Sequence, residues 1–404
     1  MALVHMQDML RHAYDNAYAV GSFNILSLDF LEGVLQAAER ARAPVIIGLS
    51  EPHFSRYDVR MLMPAVEAAA QQAEVPVAIH FDHGSSAGEV QKAMALGCNG
   101  VMIDASHSAL EENLKLTRQV VEMAHACGVP VEAELGYVPA ADSDESQSEP
   151  LSFTTVDMAR GFVRHTGVDF LAVSIGTVHG RLKGKPRLDY QRLRHINEVL
   201  GIPLVIHGGS GLSEDQYHRL VTGGVAKINY HTSLSESAAN SIRSLSKSAQ
   251  DYAELTAGVR ESIRTEAEQC MRMWGSAGRA AEVLSRCRSW APAEQLTLFD
   301  VAKADIADVQ MVLGRGRRLL GGIPGVRQVQ AAHAVADDEK YRFLWRLTLA
   351  SAEAQAAVIA HPDYRNFTQR LLPTICDDRV TILYRKLETI PLSGEGLSMV
   401  GNWG

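Results

Sequence analysis

The segment "VPVAIHFDH", residues 75–83, decides the fold class. It is a short apolar run typical of a buried strand, and it carries His80, Asp82 and His83 at its carboxyl end. Strict strand alternation would direct His80 and Asp82 to one face, and Phe81 and His83 to the other. One such strand cannot supply a complete set of metal ligands, so partner groups are expected from other strands.

Further apolar runs of this kind alternate with amphipathic segments up to about residue 280. They are "AVGSFN" at 19–24, "APVIIGLS" at 43–50, "GVMIDAS" at 100–106, "VPVEAELG" at 129–136, "DFLAVSIG" at 169–176, "IPLVIHGG" at 202–209 and "VAKINYH" at 225–231. Each interval is long enough for the crossover helix that parallel strands require. The pattern therefore predicts an α/β protein with a (β/α)8 TIM barrel over residues 1–285.

Polar side chains stand at the carboxyl ends of these predicted strands. They are Asn24, Ser50, Asp82, His83, Asp104, Glu134, His207 and Asn229, with His179 just beyond the sixth run. In this barrel the carboxyl-terminal rim carries the chemistry, so we expect the site there.

Three of the rim residues are histidines from different strands, His83, His179 and His207. Imidazole nitrogens on rigid elements bind Zn²⁺ or another divalent ion, and three protein ligands leave the open position of a catalytic metal. We expect Glu134 to be an additional metal ligand, and Glu132 to contact a ligand rather than the metal.

Asp82 precedes His83 and is predicted to point into the barrel mouth. There it would exchange a proton with a substrate hydroxyl. The alternative is that it orients His80 or another ligand by hydrogen bonding.

Two turns near the end of the barrel predict a phosphate site, "HGGSG" at 207–211 and "INYHTS" at 228–233. Loops after strands seven and eight of this fold commonly bind phosphate through backbone amides and a helix N-terminus. The residues these turns offer are Gly208, Gly209, Ser210, Asn229 and Thr232.

The bulk composition restricts the class of partner. Of the 404 residues 39 are basic and 47 acidic, so a net charge of -8 does not favour nucleic acid. No stretch approaches the roughly 18 apolar residues of a membrane span. Five scattered cysteines argue against a disulfide framework and favour a reducing, cytoplasmic location. Small-molecule chemistry without nucleic acid or membrane is therefore expected.

The composition changes after the barrel. Residues 286–294 are predicted to be a linker, residues 295–390 a second domain and residues 391–404 a flexible tail. The second domain has the order βαββαβ, with its second helix expected over 352–375. This order is typical of a ferredoxin-like α+β sandwich, in which helices cover one face of an antiparallel sheet.

Five motifs together resemble the class II, metal-dependent fructose-bisphosphate and tagatose-bisphosphate aldolases. They are "HFDHG" at 80–84, "AELG" at 133–136, "SIGTVHGRLKGKPRLDY" at 174–190, "IPLVIHGGSGL" at 202–212 and "AKINYHTSL" at 226–234. The resemblance covers about residues 1–285. It implies an aldehyde-lyase that reversibly cleaves a ketose 1-phosphate or ketose 1,6-bisphosphate to dihydroxyacetone phosphate and an aldehyde.

The resemblance also implies the site residues. His83, His179 and His207 take the places of the zinc ligands, and Asp82 that of the acid/base that deprotonates the C4 hydroxyl. Residues in the positions that hold the phosphate, with a monovalent cation nearby, are Gly180, Lys183, Gly208, Ser210, Asn229 and Thr232. Asn24, Ser50, Gly209 and His231 complete the expected substrate-binding set.

The sequence departs from the family pattern in two places. His231 stands where fructose-bisphosphate aldolases have an aspartate and tagatose-type enzymes a small residue, so the second half of the substrate is expected to differ. The loop 137–153 offers Glu145 and Glu149, without a clear match, for proton exchange at C3.

Two other functions remain open at this stage. One is a non-catalytic barrel subunit of an aldolase complex, which would have no need of three rim histidines and Asp82. The other is a different metal-dependent lyase or epimerase that uses the same enediolate chemistry.

The second domain contains "AHPDYRNFTQRLLP" at 360–373, followed by "RVTILY" at 379–384. These segments resemble the stress-responsive dimeric α/β-barrel (Dabb) family. In that family two sheets pair face to face, so the resemblance implies a homodimer or a higher homo-oligomer.

Overall fold

The computed structural model describes residues 2–54, 58–139, 153–180, 188–301, 305–336, 339–376 and 378–385. Lys183, Glu145, Glu149 and the predicted tail 391–404 lie outside these residues. Among the helices described, none is both long and apolar enough to cross a membrane.

Eight parallel strands pair in sequence order, and β8 pairs with β1 to close the barrel. They are β1 (Val20–Asn24), β2 (Val45–Ser50), β3 (Val77–Gly84), β4 (Gly100–Ile103), β5 (Val131–Leu135), β6 (Phe170–Val173), β7 (Leu204–Ile206) and β8 (Val225–Tyr230). Each predicted strand is present, and the predicted TIM barrel is confirmed.

Helices surround this barrel and connect its strands. They are α1 (Met6–Asp15), α2 (Leu28–Ala41), α3 (Glu51–Phe54), α4 (Val59–Gln72), α5 (Ala87–Leu96), α6 (Leu110–His125), α7 (Val156–Thr166), α8 (Tyr190–Leu200), α9 (Glu214–Thr222), α10 (Thr232–Leu245), α11 (Tyr252–Met273) and α12 (Ala280–Arg286). Several start at a Ser or Thr whose side chain accepts from a backbone N–H in the first turn, such as Ser86 before α5 and Ser213 before α9. These caps fix the residue at which each of these capped helices begins.

The amino-terminal end of the barrel is filled by α1. Met6 and Met9 of this helix pack with Val20, Ile46 and Ala78, which come from the first three strands. Since this packing closes the end at which the strands begin, the opposite rim is the open end.

The second domain contains an antiparallel sheet with the strand order β10-β11-β9-β12. Its elements are β9 (Ala293–Phe299), α13 (Ile306–Gly321), β10 (Val326–His333), β11 (Phe343–Leu349), α14 (Ala354–Ala360), α15 (Pro362–Asn366) and β12 (Arg379–Arg385). The predicted βαββαβ order is confirmed as a separate antiparallel-sheet domain.

The second helical segment of this domain is interrupted, whereas the sequence predicts one helix over 352–375. His361 has extended dihedral angles because Pro362 follows it, and its Nδ1 accepts from the Asp363 N–H at 3.2 Å. A π-helical turn (Phe367–Leu371) and a 3-10 turn (Leu372–Thr374) complete the segment. His361 thus ends one helix and caps the next.

The second domain docks where the barrel helices end. Arg327 in β10 makes two hydrogen bonds to the Glu67 carboxylate of α4, at 2.8 and 2.7 Å. Ser351 Oγ donates to the carbonyl of Cys127, which lies between α6 and β5, at 2.7 Å. Since helix ends in this fold lie beside strand starts, the domain sits toward the end opposite the open rim.

Candidate metal and active site

An unusual backbone conformation places His83 at the rim. His83 has φ +54°, a left-handed value that non-glycine residues rarely adopt, and the pairing of β3 with β4 is irregular at this point. Strict alternation would turn His83 to the face opposite Asp82, and the backbone departs from that alternation here. The local distortion brings its ring beside His179 and His207.

The three rim histidines converge as the sequence predicts. Ring centroids lie 4.7 Å apart for His83 and His207, 5.1 Å for His83 and His179, and 5.8 Å for His179 and His207. One nitrogen from each ring lies within 4.8 Å of the others. Burial and the neighbouring His207 and His83 lower the pKa of His179 to about 3, so its ring is neutral. Burial opposes the charge on His207, but Glu132 and Glu134 raise its pKa to about 10, so a divalent ion would have to displace that proton.

Two of these rings each contact a carboxylate through one ring nitrogen. His83 Nδ1 lies 2.7 Å from Asp104 Oδ2, and His207 Nε2 lies 2.9 Å from Glu132 Oε1. Such contacts orient a histidine and select the nitrogen that remains for a metal. The sequence placed Asp104 at the rim, because it follows β4. It did not predict a role for this residue.

The chemistry of the remaining donor atoms fits a divalent cation. His207 Nδ1 and Glu134 Oε2 are buried and lie 3.1 Å apart, within ion-pair distance of each other. Nitrogen with carboxylate oxygen is a donor set that Zn²⁺ accepts. His83, His179, His207 and Glu134 would hold such an ion.

Asp82 is held as a carboxylate by two amides. Its Oδ1 accepts from Asn229 Nδ2 at 2.8 Å, and its Oδ2 accepts from Asn24 Nδ2 at 3.0 Å. Burial tends to raise the pKa of Asp82, but the positive groups around it, His83 and His207 first, hold that pKa well below its usual range. Asp82 is therefore an ionised carboxylate with a fixed orientation.

A polar network lies beneath Asp82 inside the barrel. His80, Glu132 and Lys227 are each 0% exposed, and Lys227 Nζ lies 2.8 Å from Glu132 Oε2. Burial opposes ionisation of Glu132, yet Lys227 and His207 lower its pKa to about 2. Sequence reasoning overlooked Lys227, although a lysine inside the apolar run "VAKINY" was a usable signal.

The predicted phosphate residues lie around the start of α10. Gly208 has φ +67°, and a Cβ there would lie 2.1 Å from the Val178 carbonyl oxygen, so only glycine fits this turn. Ser210 Oγ accepts from the Ser233 N–H at 3.3 Å, which brings the 208–210 turn against the first turn of α10. Backbone amides and a helix N-terminus thus meet, as anion sites require.

The other predicted substrate residues are spread around the same rim. Gly180 directly follows His179, Asn229 contacts Asp82, and Thr232 is the first residue of α10 after the half-buried His231. Ser50 is opposite Asp82 in the β2–β3 register. Gly209 is buried between Gly208 and Ser210.

The family model described as "Fructose-bisphosphate aldolase class-II" matches residues 4–279. The chain belongs to this family. A fructose-bisphosphate aldolase of Geobacillus stearothermophilus is 39% identical over 289 residues, which cover 70% of this chain and all of the relative. A probable fructose-bisphosphate aldolase of Bacillus subtilis is 39% identical over 287 residues, or 69% of this chain and all of that protein.

The barrel of this chain is also similar to a solved aldolase structure. The YdjI aldolase from Escherichia coli K12 superposes with a TM-score of 0.64 and 34% identity, over 69% of this chain and 99% of that one. The family consists of lyases that generally depend on a divalent metal and act on phosphorylated sugars, so this chain is an aldolase. The family match ends before β9, and the antiparallel-sheet domain lies beyond it.

We expect the His207→Ala variant of this class II aldolase to lose its metal. Removal of one of the three histidines that would hold a divalent metal should reduce the bound metal from about one ion per chain to about zero after dialysis. Inductively coupled plasma mass spectrometry would measure the ratio, with circular dichroism to check the fold. His165→Ala, at an exposed histidine of α7, is the matched control. One ion per chain in a folded His207→Ala variant would refute the ligand assignment.

Proposed function

We propose that this protein is a Zn²⁺-dependent aldolase that reversibly cleaves a ketose 1-phosphate or a ketose 1,6-bisphosphate. The products would be dihydroxyacetone phosphate and an aldehyde. The observation that carries this proposal is the three-histidine cluster beside a buried carboxylate, Asp82, that two amides orient. A metal site and a base at one rim are what retro-aldol cleavage needs.

In the proposed mechanism Asp82 accepts the proton of the C4 hydroxyl. The bond between C3 and C4 then breaks, the C4 oxygen forms the aldehyde carbonyl, and the electron pair passes through C3 to the C2 oxygen. Asn24 and Asn229 keep the carboxylate aimed, because each donates to one of its oxygens. A divalent metal held by the histidines supplies Lewis-acid stabilisation to the negative charge on the substrate oxygens.

The phosphate of the three-carbon half is proposed to bind at the turn 208–210 and at the start of α10. The amides of Gly208, Gly209 and Ser210 and the N-terminus of α10 favour an anion there. Gly180, Asn229, Thr232 and Lys183, with a monovalent cation, are proposed to complete this site. Lys183 is outside the described residues.

The aldehyde half is proposed to lie beside Ser50 and His231. An imidazole at position 231 replaces the aspartate or small residue of the two named aldolase types, so a distinct aldehyde is expected. The proton that C3 receives is proposed to come from Glu145 or Glu149, which lie outside the described residues.

The second domain is proposed to make the protein a homodimer or a higher homo-oligomer. The sheet face away from its helices carries Leu296 and Leu298 of β9, which pair with Ile382 and Val380 of β12. Leu344 of β11 lies on the other side of Leu298. Val380 is 38% exposed and Ile382 is 41% exposed. A self-complementary apolar patch of this kind suits a two-fold contact with a second copy.

The domain boundaries and the cellular location of the protein are also proposals. We propose a barrel over residues 1–285, a linker over 286–294, the second domain over 295–390 and a tail over 391–404. We further propose a cytoplasmic location, which the buried free thiols of Cys98, Cys127 and Cys270 support.

An assay for dihydroxyacetone phosphate tests the aldolase proposal. We expect the purified protein to release this product from at least one member of a panel of ketose 1-phosphates and 1,6-bisphosphates. A chelator should abolish the release, and added Zn²⁺ should restore it. Bound metal without release from any substrate would instead favour another lyase or an epimerase, and neither metal nor release would favour a non-catalytic subunit.

Asp82→Asn should lose turnover but keep the metal. Loss of a positioned base typically lowers the rate about 10²–10⁴-fold, while the three histidines remain. Steady-state kinetics on the best substrate, together with metal content, would measure both effects. Asp157→Asn, at an exposed aspartate of α7, is the matched control. Near-normal turnover would show that Asp82 only orients its neighbours.

Ile382→Glu should convert the assembled protein to a monomer. Two charges would face each other across a two-fold contact and would have to leave water. Light scattering coupled to size exclusion would give the mass, and Lys340→Glu, at an exposed lysine 74% accessible in its side chain, is the control. An unchanged mass would exclude this sheet face as the contact.

A further inference from the structure

Lys227 is a charged side chain buried in the interior of the barrel. It lies in β8 with 0% of its side chain exposed, below the rim that carries Asp82 and the histidines. Burial of an ammonium group is costly unless its donors are paired. The two contacts that Lys227 makes therefore indicate why a lysine is retained there.

The first contact fixes the orientation of Asn229. Lys227 Nζ donates to Asn229 Oδ1 at 2.6 Å. Since an ammonium group only donates, the amide must present its oxygen to Lys227 and its nitrogen on the other side. That nitrogen donates to Asp82 Oδ1 at 2.8 Å. Lys227 thus determines which atom of Asn229 meets the carboxylate.

The second contact fixes the orientation of His207. Lys227 Nζ lies 2.8 Å from Glu132 Oε2, and the other carboxylate oxygen lies 2.9 Å from His207 Nε2. An ionised carboxylate only accepts, so Nε2 carries a hydrogen, and Nδ1 faces Glu134 Oε2 at 3.1 Å, where the metal is proposed to bind. The same lysine therefore determines which nitrogen of His207 faces the rim.

The ammonium group also occupies a position that could otherwise attract a cation. His80, Asp82 and Glu132 form a second cluster with atoms within 4.8 Å of one another. Lys227 already supplies the positive charge beside Glu132, so this inner cluster needs no metal ion. A divalent ion would therefore bind at the rim histidines rather than at this inner cluster.

We propose that Lys227 is a positioning residue, an internal cation that holds Asp82 through Asn229 and His207 through Glu132. It touches neither the substrate nor the reacting atoms. This inference rests on the proposed roles of Asp82 and His207, and it adds a single group that aligns the base with the metal ligand.

The test compares Co²⁺ binding and kinetics in the wild type, Lys227→Met and the double variant Lys227→Met/Glu132→Gln. Methionine has a similar length without charge, but it leaves Glu132 as an unpaired buried carboxylate. The double variant removes that charge as well and keeps an oxygen toward His207, so it is the one to use if the single variant does not fold. Lys92→Met, at a lysine of α5 with a 70% exposed side chain, is the control.

We expect the folded Lys227 variants to bind Co²⁺ about 10–100-fold more weakly, as loss of a group behind a metal ligand typically does. The visible absorption of bound Co²⁺ should change, because the His207 ligand is no longer held. With metal at saturation kcat should fall by a similar factor, because Asn229 no longer holds the Asp82 carboxylate in place. A role in stability alone would leave the spectrum and kcat of the folded fraction unchanged.

Wild-type affinity, spectrum and kcat in a folded Lys227 variant would overturn the proposal. Failure of the wild type itself to bind Co²⁺ or to cleave any ketose phosphate would instead overturn the proposed function. The two failures are therefore distinguishable in one set of measurements.

Discussion

Closure of the eight parallel strands, through pairing of β8 with β1, is the constraint on which the rest of the molecule depends. Because all the strands run in one direction, their carboxyl ends meet at one rim. Asp82 and Asn229 are 147 positions apart in sequence, yet they share a hydrogen bond of 2.8 Å. Packing of α1 closes the opposite end, so the barrel is open at this rim.

Charge pairing in the barrel interior is the second constraint. His80, Glu132 and Lys227 are each 0% exposed, so each ionised group must find a partner among its neighbours. Glu132 lies between Lys227 and His207, and Asn229 lies between Lys227 and Asp82. One connected network therefore underlies both the proposed metal site and the proposed base. The left-handed backbone at His83 costs some conformational energy, and its contact with Asp104 helps to hold it.

The antiparallel-sheet domain is built independently of this rim. Arg327 and Ser351 attach it to α4 and to the turn after α6, toward the end where the strands begin. At that distance from the rim its contribution would be to assembly rather than to chemistry. Family members such as the Geobacillus stearothermophilus aldolase match only the barrel part, at 70% of this chain. The second domain is thus an addition to the part of the chain that the family shares.

By itself the sequence determined the barrel, the βαββαβ domain and the rim position of the polar residues, because hydrophobic runs and their spacing are local properties. It also indicated the three histidines, since each follows a recognisable strand. Only the tertiary structure decided that His83 turns inward and that Asp104 and Lys227 lie beside the rim histidines and Asp82. Those features depend on a local backbone distortion or on contacts between strands far apart in sequence. The periodicity of side chains along the sequence does not show either of them.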